Sequence, residues 1–359
     1  MIPATLPVFT KSQQKTAHHY LATHVAEMMG RKFEEGDWSK VYCAAKGIPP
    51  GTWSNVSIDV TFGNLGVEQK MICRRSNRSI LEACGTSIMH PAGTRAIRIP
   101  DEKDPTKAAR IVLQQYVELV EARTEIVRVV NRYHHDVCSL EDTVKGLMRL
   151  GMGKDTAMKA IPSRKMALGS PDDLPDMRIG WLLWQEDLRE FLYFEEPMSK
   201  PNPAEFTAEW RDSGGGRRKR SRNLWVYQTR SEEKRFSITT EAGAKIQPYF
   251  TVPMPHDPNL YHFVVQGEQL ASGLVRVWLT QVTFDLLREV VGELNPENLA
   301  DAVERAFQKD RPERKNPTPF GTLAAAVLVP EGIYKRLHEV FDGVSDEHNF
   351  KQLIDALRA

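Results

Sequence analysis

This 359-residue chain is poor in cysteine: Cys43, Cys73, Cys84 and Cys138 are its whole complement, and no two form a CxxC pair. A disulfide framework is thereby excluded, structural zinc is given no ligand cluster, and a reducing compartment is the simplest setting. Long hydrophobic runs are missing too. No stretch approaches the roughly 18 apolar residues of a bilayer span, and MIPATLPVFTKSQQKTAHHY has no continuous apolar signal region. The expectation is a cytoplasmic protein with no membrane partner. Nor is there an excess of one charge, since 48 Lys and Arg face 47 Asp and Glu, a net +1 that advertises no polyanionic partner by itself. Several enzyme signatures are absent as well. Without GxSxG or HExxH, the serine-hydrolase and zincin readings fall away. GMGKDT at 151–156 lacks the glycine spacing, and the Ser or Thr after Lys154, of a phosphate loop. His134, His135 and Cys138 have helical spacing for a metal but no further ligand group beside them.

What is present is a globular composition, 41% hydrophobic and 26% charged, over a length that suits two domains or one elaborated domain. Residues 14–29 place Ala17, Tyr20, Leu21, Val25 and Met28 on one helical stripe that stops at Gly30. DWSKVYCAAK predicts a second helix, with Asp37 as N-cap and Gly47, then Pro49 and Pro50, as its end. NVSIDVTF and VEQKMIC, joined by GNLG, predict a β-hairpin. Asp104 and Pro105 open a helix that runs without Gly or Pro to about Tyr133, and Ser139 caps a shorter one. GWLLWQ and REFLYFEE predict a second hairpin after a loop from Gly169 to Asp176. Beyond residue 200, short β-like segments recur from Leu224, and helices follow from Phe284, Pro296, Pro330 and Ser345. The fold class expected is α/β or α+β, with a mixed β-sheet core flanked by helices in residues 1–200. Residues 201–359 are expected to form an α+β module for DNA recognition or dimerisation.

The chemistry is carried by the first hairpin. Asp59 sits on its first strand, and Glu68 and Lys70 sit two apart on its second, so period two puts the latter pair on one face. Two acids and a lysine are what metal-assisted phosphodiester hydrolysis needs: carboxylates to hold a cation and a basic group to orient water. The alternative is a hairpin with a solvated charged face. Apolar Val56, Ile58, Val60, Val67, Met71 and Ile72 argue instead for a buried hairpin, where charges need a partner or a purpose.

The pattern Ile58-Asp59, eight residues, then Glu68-Gln69-Lys70 resembles the PD-(D/E)xK nuclease superfamily, with Ile58 where that family usually has proline. The resemblance implies a restriction-endonuclease-like core. It also implies magnesium, or manganese in its place, held by Asp59, Glu68 and the Gln69 backbone carbonyl, with Lys70 positioning the attacking water. Members often add an acid from the preceding helix; Glu27 is chosen here, with Glu35 as its rival and His24 one helical turn before Glu27. The function so implied is a site-specific restriction-type endonuclease that cuts double-stranded DNA to leave 5′ phosphates and acts as a homodimer, with a cognate methyltransferase beside it. The long helix from Pro105 is the expected dimer interface. Other phage-defence, repair or transposon nucleases, and a non-enzymatic DNA-binding protein, stay open.

DNA contacts are expected from Arg74, Arg75 and Arg78 after the catalytic strand, with His90, Arg95 and Arg98 extending that surface. Between Arg211 and Arg235, nine Lys or Arg face three acids, a local +6. Within that stretch Arg217, Arg218, Lys219, Arg220 and Arg222 follow three glycines, as in an arm that tracks a DNA backbone, or as a solvated loop. Trp225, Tyr227, Arg230, Tyr249, Tyr261, Arg276 and Trp278 on the following strands suit a recognition surface, although core packing is the more ordinary use of those aromatics.

Overall fold

The computed structural model describes residues 8–28, 31–48, 58–74, 78–89, 92–93, 97–98, 100–161, 167, 169–213, 221–239, 245–307, 324–341 and 343–358. Helix α1, Lys11–Met28, buries Ala17, Leu21, Val25 and Met28, the stripe that the sequence spacing marks out. Helix α2, Glu35–Lys46, begins earlier than its sequence suggests. Its N-cap is Glu34, and Asp37 is the third helical residue of a capping box, accepting from the Glu34 N–H at 2.9 Å. Gly47 ends it at φ 71, the left-handed conformation that glycine adopts without steric cost. Strands β1, Val60–Phe62, and β2, Leu65–Arg74, form the expected hairpin, closed by a two-residue turn in which Gly63 takes φ 57.

Short strands β3, Ser87–Met89, and β4, Ala92–Gly93, precede helix α3, Pro105–His134. The Asp104 carboxylate accepts from the Lys107 N–H at 2.8 Å and so caps α3, whose 30 residues run about 45 Å. Helix α4, Leu140–Arg149, is capped by the Ser139 hydroxyl; α5, Lys154–Ala160, grows from the GMGKDT segment, where no helix is expected. The second hairpin follows as β5, Asp176–Gln185, and β6, Glu190–Pro197. Then come β7, Phe206–Ser213, β8, Ser221–Gln228, β9, Lys234–Thr239, β10, Lys245–Thr251, and β11, Tyr261–Val264. The chain ends with β12, Glu268–Gln269, β13, Leu274–Leu279, α6, Gln281–Val291, α7, Pro296–Phe307, β14, Ala325–Pro330, α8, Glu331–Val340, and α9, Asp346–Arg358.

These elements make a mixed α+β architecture with three sheets among the described residues. The first has the order β1-β2-β5-β6-β11, and only β2 and β5 run parallel, paired from Leu65↔Asp176 to Arg74↔Gln185. A parallel pair needs a long crossover, and α3 lies within it. The second sheet, β3-β10-β9-β8-β7 with β4 also on β10, packs one face on the first sheet and α3. Trp181 of β5 stacks on Phe250 of β10 there, with ring centroids 3.9 Å apart. Helices α1 and α2 cover the opposite face of the first sheet through Leu21, Val25, Trp38 and Tyr42. The third sheet, β12-β13-β14, holds the C-terminal helices over a separate core. The sheets do not divide at residue 200: β11 completes the first sheet against β6, and β3 and β4 join the second through β10. Among the described residues, no helix is long and apolar enough to cross a membrane.

Candidate active site

Alternation along β2 sends Gly66, Glu68, Lys70 and Ile72 toward α3, and Val67, Gln69 and Met71 toward α1 and α2. Gly66 is required by closeness. A Cβ there would lie 2.8 Å from the Met177 sulfur and 2.8 Å from Val127 Cγ2 of α3. The β1–β2 register pairs Val60 with Val67, and Asp59 stands just ahead of β1 in a bend, not on the strand expected to carry it: Ile58 lies in the core on the α3 side and Val60 in the core on the α1–α2 side, so alternation breaks at Asp59. The Asp59 carboxylate accepts from the Gln69 backbone N–H at 2.7 Å, which fixes it against the strand.

Glu68 and Lys70 are each only 9% exposed, and their charges are matched at close range. Lys70 Nζ lies 3.0 Å from Glu68 Oε1, donates to the Gln69 carbonyl at 2.8 Å, and reaches Glu35 Oε1 at 3.4 Å. Arg123 of α3 closes the far side of Glu68, with guanidinium nitrogens 3.4 Å from both carboxylate oxygens. Burial, followed by the neighbouring Glu68 charge, pushes the Asp59 carboxyl up to about 7, against the opposing pull of Lys70 and the Gln69 N–H. For Lys70, burial acts downward, but Glu68, Asp59 and Glu35 outweigh it and hold the ammonium above its ordinary value. Tyr116, two turns before Arg123 on α3, is pushed by burial up to about 12, with Arg123 and Glu68 as its nearest charged influences.

Asp59, Glu68 and Lys70 are thus gathered in one buried cluster, and the Gln69 carbonyl points into it. Nothing in comparisons with family models, curated proteins and solved structures matches this chain significantly.

Glu27 is not brought to this cluster. The charges that act on it are His24 and Glu347 of α9, and burial raises its carboxyl. His24 instead bonds Asp37 at 2.8 Å. The helix-borne acid at the cluster is Glu35, on the first turn of α2. Arg123 escapes the sequence reading altogether, though the sequence holds a signal: it interrupts the stripe Tyr116, Val120, Val127 and Val130 with a charge that is 15% exposed. The side chain of Gln69 escapes it as well. It is fully buried on the α2 side of the sheet, where its Oε1 lies 3.1 Å from the Tyr193 hydroxyl oxygen. Tyr193 in turn donates to buried Glu195, which pairs with Arg178 at 2.8 Å.

Among the arginines, Arg74 ends β2 half-buried, and Arg78 is exposed beside Glu82 at 3.8 Å. Arg98 is exposed, and its backbone N–H and carbonyl grip the Gln115 side chain. Arg222 lies on β8, its guanidinium 4.2 Å from the Trp210 ring centroid. Arg75, His90, Arg95, Arg217, Arg218, Lys219 and Arg220 lie outside the described residues. Of the aromatics, Tyr261 and Trp278 are buried, whereas Trp225, Tyr227 and Tyr249 are half-exposed.

Among the described residues there is no group of three or more His, Cys, Asp or Glu side chains gathered as a metal cluster. The oxygens present are two carboxylates and one carbonyl, a hard donor set of the kind magnesium takes while keeping several waters. Burial and the nearby Glu68 charge hold the Asp59 carboxyl above its ordinary range, a penalty that a cation bound beside it would relieve. The residues fit the ion.

Proposed function

We propose that this chain is a magnesium-dependent double-stranded DNA endonuclease of restriction type, of the kind its PD-(D/E)xK-like hairpin implies. The observation that carries the reading is the convergence of Asp59, Glu68, the Gln69 carbonyl and Lys70 along one strand of this hairpin, with Glu68 and Lys70 buried. Asp59, Glu68 and the Gln69 carbonyl would hold magnesium, with manganese as a substitute. When bound, the ion supplies charge neutralisation at the scissile phosphate and lowers the cost of deprotonating water. Lys70, kept fully protonated by three acids, donates hydrogen bonds and orients the attacking water rather than accepting its proton. Glu35, which is 44% exposed at its side chain, is the acid placed to accept a proton from the solvent side. Arg123 restrains Glu68 from the α3 side and presents a second cation to an incoming phosphate.

The reading extends to cutting at a defined position that leaves 5′ phosphates, to a homodimer with one centre for each strand, and to a partner methyltransferase. Incubation of supercoiled plasmid with purified protein and magnesium tests the chemistry, beside Asp59→Ala and Lys70→Ala. The wild type is expected to linearise the plasmid, with ligatable 5′-phosphate ends, and the variants to leave it intact. Discrete fragments separate a restriction enzyme from a repair or transposon nuclease.

One observation favours a second reading. Every charge in the cluster has an internal partner, as a purely structural ion-pair network in a DNA-binding protein would require. Under that reading all three proteins leave the plasmid uncut.

A further inference from the structure

The second sheet has two unlike faces. Leu224, Val226, Phe236, Ile238 and Ile246 point inward and fill the core against α3 and β5, so the apolar demand of this sheet is met on that side. The outer face nevertheless carries three further rings, Trp225 and Tyr227 on β8 and Tyr249 on β10, all half-exposed. Aromatics on the solvent side of a sheet contribute little to its core and form a surface that other molecules can use.

Cations alternate with these rings. The Arg211 guanidinium of β7 lies 5.3 Å from the Trp225 centroid, and Lys234 Nζ of β9 lies 3.2 Å from Trp225 and 5.1 Å from Tyr249. The order across four adjacent strands is therefore cation, ring, cation, ring. Lys234 reaches this face because of a bulge. Val226 pairs with Phe236 but Tyr227 pairs with Lys234, so Arg235 is the extra residue and Lys234 is turned to the outer side. Without the bulge, Lys234 would share the parity of Phe236 and point inward. Glu209, the acid that stands beside these groups, is occupied by the Tyr227 hydroxyl at 2.6 Å and by Arg211 at 2.9 Å.

We infer that the outer face of β7–β10 is a binding platform for an unpaired DNA strand, whose bases stack on Trp225 and Tyr249 and whose phosphates pair with Arg211 and Lys234. Rings and cations at alternate positions match the alternation of base and phosphate along a single strand. A duplex offers no base faces along its length, so the platform selects unpaired DNA. The inference rests on the nuclease reading only for the choice of DNA as the polymer, because the face looks away from the Asp59 cluster and binding there needs no catalysis.

The test is fluorescence anisotropy of labelled oligothymidine and of a duplex of equal length, in EDTA so that cleavage plays no part. The wild type is expected to bind the single strand more tightly than the duplex. Trp225→Ala and Lys234→Gln should each weaken single-strand binding by about fivefold or more, with Trp225→Phe retaining most of it. Trp225→Phe and Lys234→Gln keep the test decisive if the alanine variant misfolds. Asp59→Asn, which leaves this face untouched, should bind the single strand like the wild type even where cleavage is lost. Equal affinity in wild type, Trp225→Ala and Lys234→Gln, or a preference for the duplex, would overturn the inference. Failure of plasmid cleavage alone would not.

Discussion

Replacing Asp59 by Asn should stabilise the metal-free protein, the reverse of what loss of a buried polar group usually does. Burial and the Glu68 charge push the Asp59 carboxyl from the usual 3.8 to about 7, so its ionised form carries a penalty of up to about 4 kcal/mol. Lys70 and the Gln69 N–H favour the ionised form, so about 2 kcal/mol is the working figure. The folded carboxyl holds its proton more tightly than the unfolded one. The effect on stability is therefore nil below pH 3.8, grows as the pH climbs toward about 7, and is complete above it. Asparagine keeps an oxygen to accept the Gln69 N–H and carries no charge. Urea denaturation at pH 5 and pH 8 reads the difference; because part of the effect is already present at pH 5, the advantage of Asp59→Asn is expected to widen by roughly 1 kcal/mol between them. Magnesium at about 100 times its Kd should stabilise the wild type at pH 8 by about 2.7 kcal/mol, and the variant far less. An Asn variant no more stable than wild type at pH 8, or an advantage independent of pH, would refute the argument.

Three further outcomes follow from the same geometry. Gly66→Ala places a methyl against Met177 and Val127 and should cost about 1–3 kcal/mol in urea denaturation; a neutral result would mean that α3 is not seated on β2 as described. Calcium should support DNA binding in a gel-shift assay yet give little cleavage, since its larger and looser coordination suits water activation poorly, and efficient cutting in calcium would count against the ligand set. Neutralising Arg217, Arg218, Arg220 and Arg222 together should flatten the dependence of DNA affinity on salt, by up to about 0.9 in log–log slope for each phosphate that no longer has a cation beside it. An unchanged slope would assign that stretch to something other than phosphate.

The parts of this fold that could be read in the sequence are those set by local rules. Asp104 and Pro105 announce α3 because the cap and the fixed φ of proline act within a single turn. The β1–β2 hairpin is legible because alternation and the positive φ of Gly63 are local too, and with it come Asp59, Glu68 and Lys70. What escapes depends on contacts between distant segments. Asp37 looks like an N-cap, but Glu34 takes that place and draws Glu35 onto the first turn of α2, next to Lys70; the choice of Glu27 follows from not seeing that shift. Arg123 lies on a helix whose register against β2 no local pattern reveals. The pairing of β11 with β6, and of β3 and β4 with β10, crosses the boundary drawn at residue 200 for the same reason. Strand β14 is a short apolar run whose sheet partner among the described residues, β13, lies beyond two helices.

The central claim is that Asp59, Glu68 and the Gln69 carbonyl seat a divalent ion. Titration with manganese, followed by the electron paramagnetic resonance signal of the free ion, measures this without DNA or turnover. The wild type is expected to remove free manganese at pH 8 in near-stoichiometric amount, and Asp59→Asn and Glu68→Gln to bind it at least about tenfold more weakly. Equal uptake by all three proteins, or none by the wild type, would contradict the account.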